Sequence, residues 1–387
     1  MVGEKVAVVG GTGFLGSHIV LQLQETEYIP VVVARTPEKV ARVLPGVQVE
    51  TRQGDVTDLE SLRGALEGCI YVHSVAALLD QVFTAATPVQ EDKVVHTNVE
   101  GMLNVLRAAH ELGAKRVILT GSCSTRYTRR GTVTTENPPP GELKLVNDPY
   151  VRSKVQAEKA AAAFSQETGL PVVHILPGAL LGPGDRGPGP LGADFIDRLN
   201  GVQAPSVEGG FPVTDVRDAA YAHIRAMEVE PVQEAYLVVA ATISMRELHE
   251  MVTRFAGAAP QKVFLSPWVA MVLAFIAEMA ARIQKKPPLF TRNAVRHPAR
   301  FQRYDCSRAA TELGITYIPV ETTVREWLQW WIDNGMVAPR GGESRVRDRG
   351  ADPGETYIQQ RQDMTQQPRT VLETTESLAT WRGTELE

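Results

Sequence analysis

A tyrosine and a lysine stand four positions apart in the segment NDPYVRSKVQAEKAAAAF, as Tyr150 and Lys154. Residues with this spacing share one face of a helix, so we expect the phenol and the ammonium to be neighbours. A free tyrosine has a pKa of about 10, and a nearby cation favours the phenolate, which makes the phenol a better proton shuttle near neutral pH. The pair therefore predicts an acid/base catalyst.

A serine supplies the third chemical group. Ser122 follows the apolar run RVILTG, at the carboxyl end of a predicted strand, where open α/β sheets bind their ligands. For a ketone substrate, Tyr150 would donate its proton to the carbonyl oxygen while hydride arrives from a nicotinamide, and Ser122 would hold that oxygen. The Tyr-x-x-x-Lys spacing is weak by itself and gains weight from a dinucleotide site elsewhere in the chain.

Glycines cluster where VAVVGGTGFLGSHIV passes from an apolar run into a helical pattern. We expect Gly10 to form the tight turn, Gly13 to let backbone N–H groups approach a pyrophosphate, and Gly16 to let the helix pack on the strand. The set beginning with Gly11 also satisfies G-x-G-x-x-G, so the spacing leaves two assignments open. The position between a strand and a helix predicts dinucleotide binding.

The end of the second apolar run indicates which dinucleotide binds. A carboxylate at this point would bond the 2′-hydroxyl of NAD, whereas this chain has Arg35, which favours the 2′-phosphate of NADP. The alternative is a solvated arginine, with Asp55, after the third run, contacting the adenosine end. NADP is the expected cofactor and NAD is the alternative.

Apolar runs alternate with helical patterns through the first half of the chain, which is typical of a parallel sheet covered on both faces. The runs are KVAVVG, YIPVVVA, VQVETR, CIYVHS, RVILTG and PVVHIL. The predicted fold class is α/β, a Rossmann-like doubly wound parallel sheet with a smaller C-terminal substrate lobe. We expect an NAD(P)-binding core over 1–180, a substrate lobe mainly over 181–338 that is interleaved with the core, and a disordered tail over 339–387.

Composition restricts the class of function. The formal net charge is −5, which argues against a basic surface for nucleic acid and favours a small-molecule substrate. The three cysteines are far apart, and no histidine spacing suggests a metal site. The first residues read as a strand and a glycine turn instead of a signal peptide, so we expect a cytoplasmic protein.

One strongly apolar stretch, WVAMVLAFIA, runs from Trp268 to Ala277. Glu278 and Arg282 follow it, so it is shorter than the ~20 residues of a membrane span. A helix buried within the protein or between its lobes is the leading interpretation. Peripheral contact of this helix with a bilayer surface comes second and a true span third, so we expect no membrane span.

Two pairs of residues suggest helix starts. Thr57 and Glu60 have the spacing of a capping box. Asp215 and Asp218 could be read as a catalytic acid pair, but we expect them to cap a helix and fix a loop.

A basic loop lies between the serine and the tyrosine. It contains Arg126, Arg129 and Arg130, which could receive an anionic group of a substrate. A solvated loop is the leading interpretation, because charge runs are commonly just that.

The motifs together resemble the extended short-chain dehydrogenase/reductases, the NAD-dependent epimerase/dehydratase superfamily. The segments that carry the resemblance, over roughly the first 180 residues, are GGTGFLG, GDVTD, VHSVAA, Asn98 with Gly101, TGS, YVRSK and LPG. Within the family the chain is most similar to bacterial dihydroflavonol 4-reductase-like proteins, hopanoid-associated sugar epimerases and 3β-hydroxysteroid dehydrogenases. The segments LLGPGDRGP, VTDVRDAAYAH, ISMRELHEMV, KPPLFTRNAV and YDCSRAATELG extend the likeness to about Asn334.

The resemblance implies that Ser122, Tyr150 and Lys154 are catalytic. It also implies a cofactor site made of the glycine loop, the ends of the following strands and the catalytic pair: Gly10, Gly11, Thr12, Gly13, Phe14, Leu15, Gly16, Arg35, Asp55, Val56, Val75, Ala76, Asn98, Tyr150, Lys154, Pro177 and Gly178. One departure is Gly121, which stands where a second serine or threonine is common. Ser124 could take over that hydroxyl role.

Three functions remain open at this stage. The leading hypothesis is reversible hydride transfer between NADP(H) and a carbonyl or secondary alcohol on a small, fairly apolar molecule. The second is a nucleotide-sugar epimerase or dehydratase that holds NAD tightly, and the third is a non-catalytic protein that senses dinucleotide and signals to a partner. A homodimer is implied only by analogy with the family.

Overall fold

The computed structural model describes residues 3–76, 88–128, 132–138, 149–202, 204–284 and 292–337. The expected tail and two of the three loop arginines, Arg129 and Arg130, lie outside the described residues.

The strands follow the apolar runs of the sequence in the first half and become shorter in the second. They are β1 (Lys5–Val9), β2 (Ile29–Ala34), β3 (Glu50–Gln53), β4 (Cys69–Ser74), β5 (Arg116–Thr120), β6 (Val133–Thr134), β7 (Val172–Pro177), β8 (Ala179–Leu181), β9 (Ser206–Val207), β10 (Gly210–Asp215), β11 (Ala235–Val238), β12 (Ala241–Ser244), β13 (Phe264–Leu265) and β14 (Arg303–Tyr304).

The helices alternate with these strands. They are α1 (Phe14–Leu23), α2 (Lys39–Val43), α3 (Leu59–Leu66), α4 (Pro88–Glu111), α5 (Pro149–Thr168), α6 (Pro190–Leu199), α7 (Val216–Glu228), α8 (Met245–Ala256), α9 (Pro267–Gln284), α10 (Arg292–Ala299), α11 (Ser307–Glu312) and α12 (Val320–Asp333). A short 3-10 turn, Cys123–Arg126, follows β5.

Seven strands form the large sheet, in the order β11-β7-β5-β4-β1-β2-β3. All of its pairings are parallel. The chain runs outward from β1 to β3 and then continues on the other side of β1, which creates a crevice between the carboxyl ends of β1 and β4. This topology confirms the predicted Rossmann-like α/β fold.

Two apolar layers cover the two faces of this sheet. Successive side chains of a strand point to opposite faces, and Val8 packs with Ile19 of α1 in one layer while Ala7 packs with Leu106 of α4 in the other. Helices α1 and α7 lie together on the first face, and α4 and α5 lie together on the second. The near-continuous apolar runs in the sequence reflect burial on both sides.

The second half of the chain builds a smaller sheet, β12-β10-β8, beside the large one. Its own apolar cluster includes Phe195, Leu248, Trp327 and Trp331. Strand β11 lies at the edge of the large sheet although it follows β8 to β10 in sequence. The division into a core of 1–180 and a lobe of 181–338 stays a prediction.

The helix caps bear out one prediction and correct another. The capping box is wrong: Asp58, one residue later than Thr57, caps α3 and accepts hydrogen bonds from the backbone N–H groups of Glu60 and Ser61. Thr57 instead donates to the Asp55 carboxylate. Asp215 caps α7 as expected, accepting from the Arg217 backbone N–H.

Helix α9 contradicts the leading interpretation of the apolar stretch. It buries Ala270 and Ala274, but Trp268 is 75% exposed, so the stretch is not a buried helix. None of the described helices has the length and apolar content that a bilayer crossing requires.

Candidate active site

The loop between β1 and α1 requires glycine at two positions. Gly10 has a φ of +90°, and a Cβ there would lie 2.9 Å from the Ala76 backbone nitrogen. A Cβ on Gly16 would lie 2.2 Å from the Gly10 carbonyl oxygen. These positions make the turn and the close helix packing that the sequence predicts, because no larger side chain fits either place.

Gly13 and Gly11 differ in their surroundings. Gly13 is exposed and forms the N-cap of α1, which has no side-chain cap, so the first N–H groups of the helix remain available to an anion. Gly11 is buried, and a Cβ there would meet the Val32 side chain at 3.1 Å. Together with Gly10 and Gly16, Gly13 forms a cradle that fits a dinucleotide pyrophosphate, whereas Gly11 packs against the sheet.

The rest of the loop and the end of β4 border the same crevice. Thr12 lies in the turn, and Phe14 and Leu15 form the first turn of α1. The Val75 backbone N–H donates to the Val9 carbonyl oxygen at 3.0 Å, which continues the pairing of β4 with β1 and brings Ala76 against Gly10.

Tyr150 and Lys154 line one cavity at the carboxyl ends of β4 and β5. Ala76, Asn98 and Thr120 line it as well. Helix α5 begins at Pro149, so the tyrosine sits in its first turn and the lysine one turn later. The structure therefore brings together four residues that the sequence assigned to one site, from three separate parts of the chain.

Lys154 is fixed in this cavity by the backbone. Its Nζ donates a hydrogen bond to the Thr120 carbonyl oxygen at 3.0 Å. Burial lowers the pKa of this ammonium to about 8, and the negative charge of Glu158 raises it in part. A lysine so placed changes its charge close to neutral pH.

Ser122 lies at the end of β5 and is buried. Its Oγ lies 2.9 Å from Ser124 Oγ and accepts from the Ser124 backbone N–H at 3.2 Å, so it also caps the 3-10 turn. Among the described residues that line the cavity, the neighbouring Gly121 appears and Ser122 does not. The hydroxyls of Ser122 and Ser124 are bonded to each other, and Ser122 directly follows Gly121 in the chain.

Glu158 is the acidic side chain that the sequence analysis missed. It accepts from Thr125 Oγ1 at 2.8 Å and from Arg126 Nη1 at 2.6 Å. Arg126 is 15% exposed in its side chain, so it is neither a solvated loop residue nor a free cation at a substrate mouth. The spacing of Glu158, four residues after Lys154 on the same face of α5, was the signal available in the sequence.

The predicted adenosine end of the site involves the residues that follow β2 and β3. These strands pair so that the Gly54 N–H donates to the Ala34 carbonyl oxygen at 3.1 Å. Arg35 follows β2 and is exposed, and Asp55 is half-buried, with its Oδ1 accepting from the Thr57 N–H and hydroxyl. The two candidates for adenosine recognition therefore follow neighbouring strands.

Val56 and Gly178 hold parts of the framework. A Cβ on Gly101 of α4 would lie 2.9 Å from the Val56 side chain, so Val56 sits under that helix. The Gly178 N–H donates to Thr214 Oγ1 at 2.9 Å, and a Cβ there would lie 2.5 Å from the Pro212 carbonyl oxygen. Pro177 ends β7 directly before this joint between the two sheets, and cofactor contact at these positions stays a prediction.

Known proteins are similar to this chain in sequence over the segments that form the site. The model of the NAD dependent epimerase/dehydratase family matches residues 6–238. The decarboxylating sterol-4-alpha-carboxylate 3-dehydrogenase of Schizosaccharomyces pombe is 28% identical over 84% of this chain and 96% of its own. The dihydroflavonol 4-reductase of Hordeum vulgare is 32% identical over 47% of this chain and 55% of its own.

A solved structure shows the same fold. The crystal structure of gox2253 has a TM-score of 0.74 and 26% identity, and the match covers 86% of this chain and 99% of that one. The family match extends over the glycine loop and the tyrosine helix and reaches all seven strands of the large sheet. The chain therefore belongs to the NAD dependent epimerase/dehydratase family, and its relatives include reductases and dehydrogenases.

Proposed function

We propose that this enzyme transfers hydride between NADP(H) and a carbonyl or secondary alcohol on a small, fairly apolar molecule. The observation that carries the proposal is the cavity in which Tyr150 and Lys154 meet Asn98 and Ala76, beside the glycine loop. Two relatives are named as a sterol dehydrogenase and a dihydroflavonol reductase, and both names refer to fairly apolar molecules. This favours a fairly apolar substrate for this enzyme.

The roles of the residues follow from their chemistry. The glycine loop and the first turn of α1 would hold the pyrophosphate, and a bound nicotinamide dinucleotide would supply or accept the hydride. In the direction of reduction, Tyr150 would donate its phenolic proton to the carbonyl oxygen. The Lys154 ammonium would favour the phenolate that remains, and Ser122 would hold the oxygen together with Ser124.

The preference for NADP is the finer part of the proposal. Arg35 is exposed directly after β2, and the nearby acid, Asp55, already accepts two hydrogen bonds from Thr57. A guanidinium can bind a phosphate with two parallel hydrogen bonds, which a ribose hydroxyl cannot match. Asp55 would then contact the adenosine end.

The substrate is proposed to bind between the cavity and the lobe of residues 181–338, with 1–180 as the dinucleotide-binding core. A homodimer stays a prediction by analogy with the family.

The experiment is a panel of ketones and secondary alcohols, each offered with NADPH and with NADH, followed by nicotinamide absorbance. We expect turnover of fairly apolar compounds with a preference for NADPH. Purified protein that carries stoichiometric NAD and converts nucleotide sugars with no net redox change would instead make it an epimerase. Dinucleotide binding with no turnover of either kind would contradict an enzyme.

A further inference from the structure

Helix α9 turns its large apolar side chains away from the protein. Those exposed are Trp268, Val269, Val272, Leu273, Phe275, Ile276 and Met279, with Ile276 at 56% and Trp268 at 75%. At about 100° per residue these positions fall within roughly half of the helix circumference, so they share one side of the helix. The side that faces the protein is occupied by small residues such as Ala270 and Ala274. This is the reverse of an ordinary surface helix, which buries its large apolar residues.

The exposed stripe carries no charge. Glu278 is the one acid of α9, and it accepts hydrogen bonds from the Arg292 backbone N–H and from Arg292 Nε, both at 2.8 Å. Its side chain is 19% exposed. The carboxylate is therefore neutralised against α10, and it does not interrupt the apolar surface.

The sequence around the stripe is strongly basic. Residues 262–303 contain eight lysines and arginines and one carboxylate, in a chain whose formal net charge is −5. The basic residues are Lys262, Arg282, Lys285, Lys286, Arg292, Arg296, Arg300 and Arg303. An apolar stripe within a segment of excess positive charge matches an anionic lipid surface, because the apolar side chains would enter the acyl region while the positive segment is attracted to the anionic headgroups. Trp268, at one end of the stripe, is a residue type that prefers the membrane–water boundary.

A short series of contacts joins this surface to the active-site tyrosine. Phe275 of α9 packs under the Arg292 guanidinium, 5.4 Å from ring centre to guanidinium carbon. Beyond the end of α10, the Arg300 guanidinium lies over the Tyr127 ring at 4.9 Å. Tyr127 in turn packs with Tyr150. Helix α10 and the residues that follow it therefore connect α9 to the cluster in which Tyr150 packs.

We infer that the outer face of α9 docks on an anionic lipid bilayer and that an apolar substrate reaches the cavity from that bilayer. Docking stands on the exposed stripe and the basic segment alone, whereas delivery of the substrate rests on the proposed function. A second copy of the chain is the other candidate occupant. It is less favoured because stable protein interfaces add hydrogen bonds at a polar rim, whereas this stripe offers apolar atoms and one indole N–H.

Flotation of the full chain with vesicles tests the docking. The vesicles contain phosphatidylcholine, with or without phosphatidylglycerol. We expect binding to the anionic vesicles that weakens as salt is added, because ions screen the attraction. The double variant Trp268→Glu, Ile276→Glu should lower the vesicle partition coefficient by about tenfold or more, since burial of such side chains in an apolar phase is lost.

The control is the double variant Leu21→Glu, Leu112→Glu, which adds the same two charges at exposed leucines of α1 and just past α4. It should bind vesicles like the wild type, and circular dichroism should show that all variants are folded. Absence of wild-type flotation, or equal flotation of the double variant, would overturn the inference. So would light scattering that shows a wild-type dimer and a monomeric double variant with no vesicle binding in either, because the stripe would then be a contact between copies.

Turnover separates the two parts of the inference. With a water-soluble carbonyl compound, the double variant should keep the wild-type rate, and with the substrate dissolved in anionic vesicles it should lose about tenfold. Flotation without any turnover would leave the docking intact and refute the proposed function. Equal rates of the two proteins on the vesicle-dissolved substrate would refute delivery from the bilayer.

Discussion

The carboxyl edge of the large sheet and the outer face of α9 reverse the usual distribution of polarity in opposite ways. At the sheet edge, a lysine is drawn into a cavity and held by the Thr120 carbonyl oxygen, and an arginine is paired with Glu158 in a half-buried position. On α9, large apolar side chains are exposed while alanines are buried. Each reversal lowers the stability of the folded protein in water. At the sheet edge a charged group loses its hydration, and on α9 apolar surface stays in contact with water.

The comparison teaches where to look for function in this molecule. A buried polar group and an exposed apolar stripe are the informative departures from the pattern of a folded chain. At the sheet edge the departure surrounds a small cavity, which suits chemistry on a small molecule. On α9 the departure is a long stripe, which suits contact with an extended apolar surface.

The largest expected effect separates the two regions. Tyr150→Phe removes the proposed acid and should lower kcat/KM by about 10²- to 10⁴-fold, as the loss of a general acid does. Dinucleotide affinity and vesicle flotation should stay unchanged, in contrast to the variants of α9. The measurement is steady-state absorbance with the best compound of the panel.

The matched control for that loss is Tyr28→Phe, at a tyrosine directly before β2 and so at the opposite edge of the sheet. It should leave turnover unchanged. Full activity of Tyr150→Phe would show that the tyrosine is not the acid of the reaction. The sheet edge would then no longer be distinguished from α9 as the place of the chemistry.

A second change sharpens the description of the sheet edge itself. Arg35→Ala should weaken NADPH binding by about 10- to 100-fold, because a hydrogen-bonded charge pair is lost, and should leave NADH binding unchanged. Dissociation constants from nucleotide fluorescence measure both. Arg325→Ala, at an exposed arginine of α12, is the control. A wild-type preference for NADH would show that Arg35 is a solvated residue.

A third test addresses two buried histidines, one in β4 of the large sheet and one in α8. Burial lowers the pKa of His73 to about 3 and that of His249 to about 4, both below the value of about 6.5 in an unfolded chain. The unfolded state therefore binds protons first as pH falls. Above pH 6.5 neither histidine affects the pH dependence of the free energy of unfolding. Below pH 6.5 each one lowers this free energy by about 1.4 kcal/mol per pH unit, until the folded-state pKa is reached.

Urea unfolding at a series of pH values from 7.5 to 5 measures this loss. His73→Leu should reduce the dependence of the free energy of unfolding on pH, whereas His110→Leu, at an exposed histidine of α4, should leave it unchanged. A free energy of unfolding that is constant over this range would contradict burial of these rings in their neutral form.

The smallest expected effect concerns the tuning of Lys154. Glu158→Gln removes a charge that raises the pKa of the ammonium, so that pKa should fall below about 8. Turnover is lost as pH rises and Lys154 gives up its proton, so this alkaline decline should begin at a lower pH in the variant. The rate near neutral pH should change only modestly. The pH profile of kcat/KM measures the shift, and Glu167→Gln, at an exposed acid near the end of the same helix, should leave the profile unchanged. An unaltered profile of Glu158→Gln would show that its role is confined to holding Arg126.

The sequence alone indicated six of the seven strands of the large sheet and the order of the motifs along them, whereas the edge strand β11 was not predicted. Strand and helix periodicities are local properties, and parallel strands put the residues that follow them at a single edge. The glycine turn and the face shared by Tyr150 and Lys154 followed from such spacings, and the resemblance of the motifs indicated the family. The capping residue of α3 did not, because Asp58 and Thr57 are both good caps and backbone geometry chooses between them.

Only the tertiary structure decided which partners and which surroundings those faces meet. The pairing of Arg126 with Glu158 joins residues 32 positions apart, and no local pattern specifies it. For α9, periodicity predicts that the large apolar residues share one side of the helix. Whether that side packs on the protein depends on the shape of the surface against which the helix lies. The alanines of α9 allow close approach of the framework, so they are buried, and the larger side chains are left facing outward.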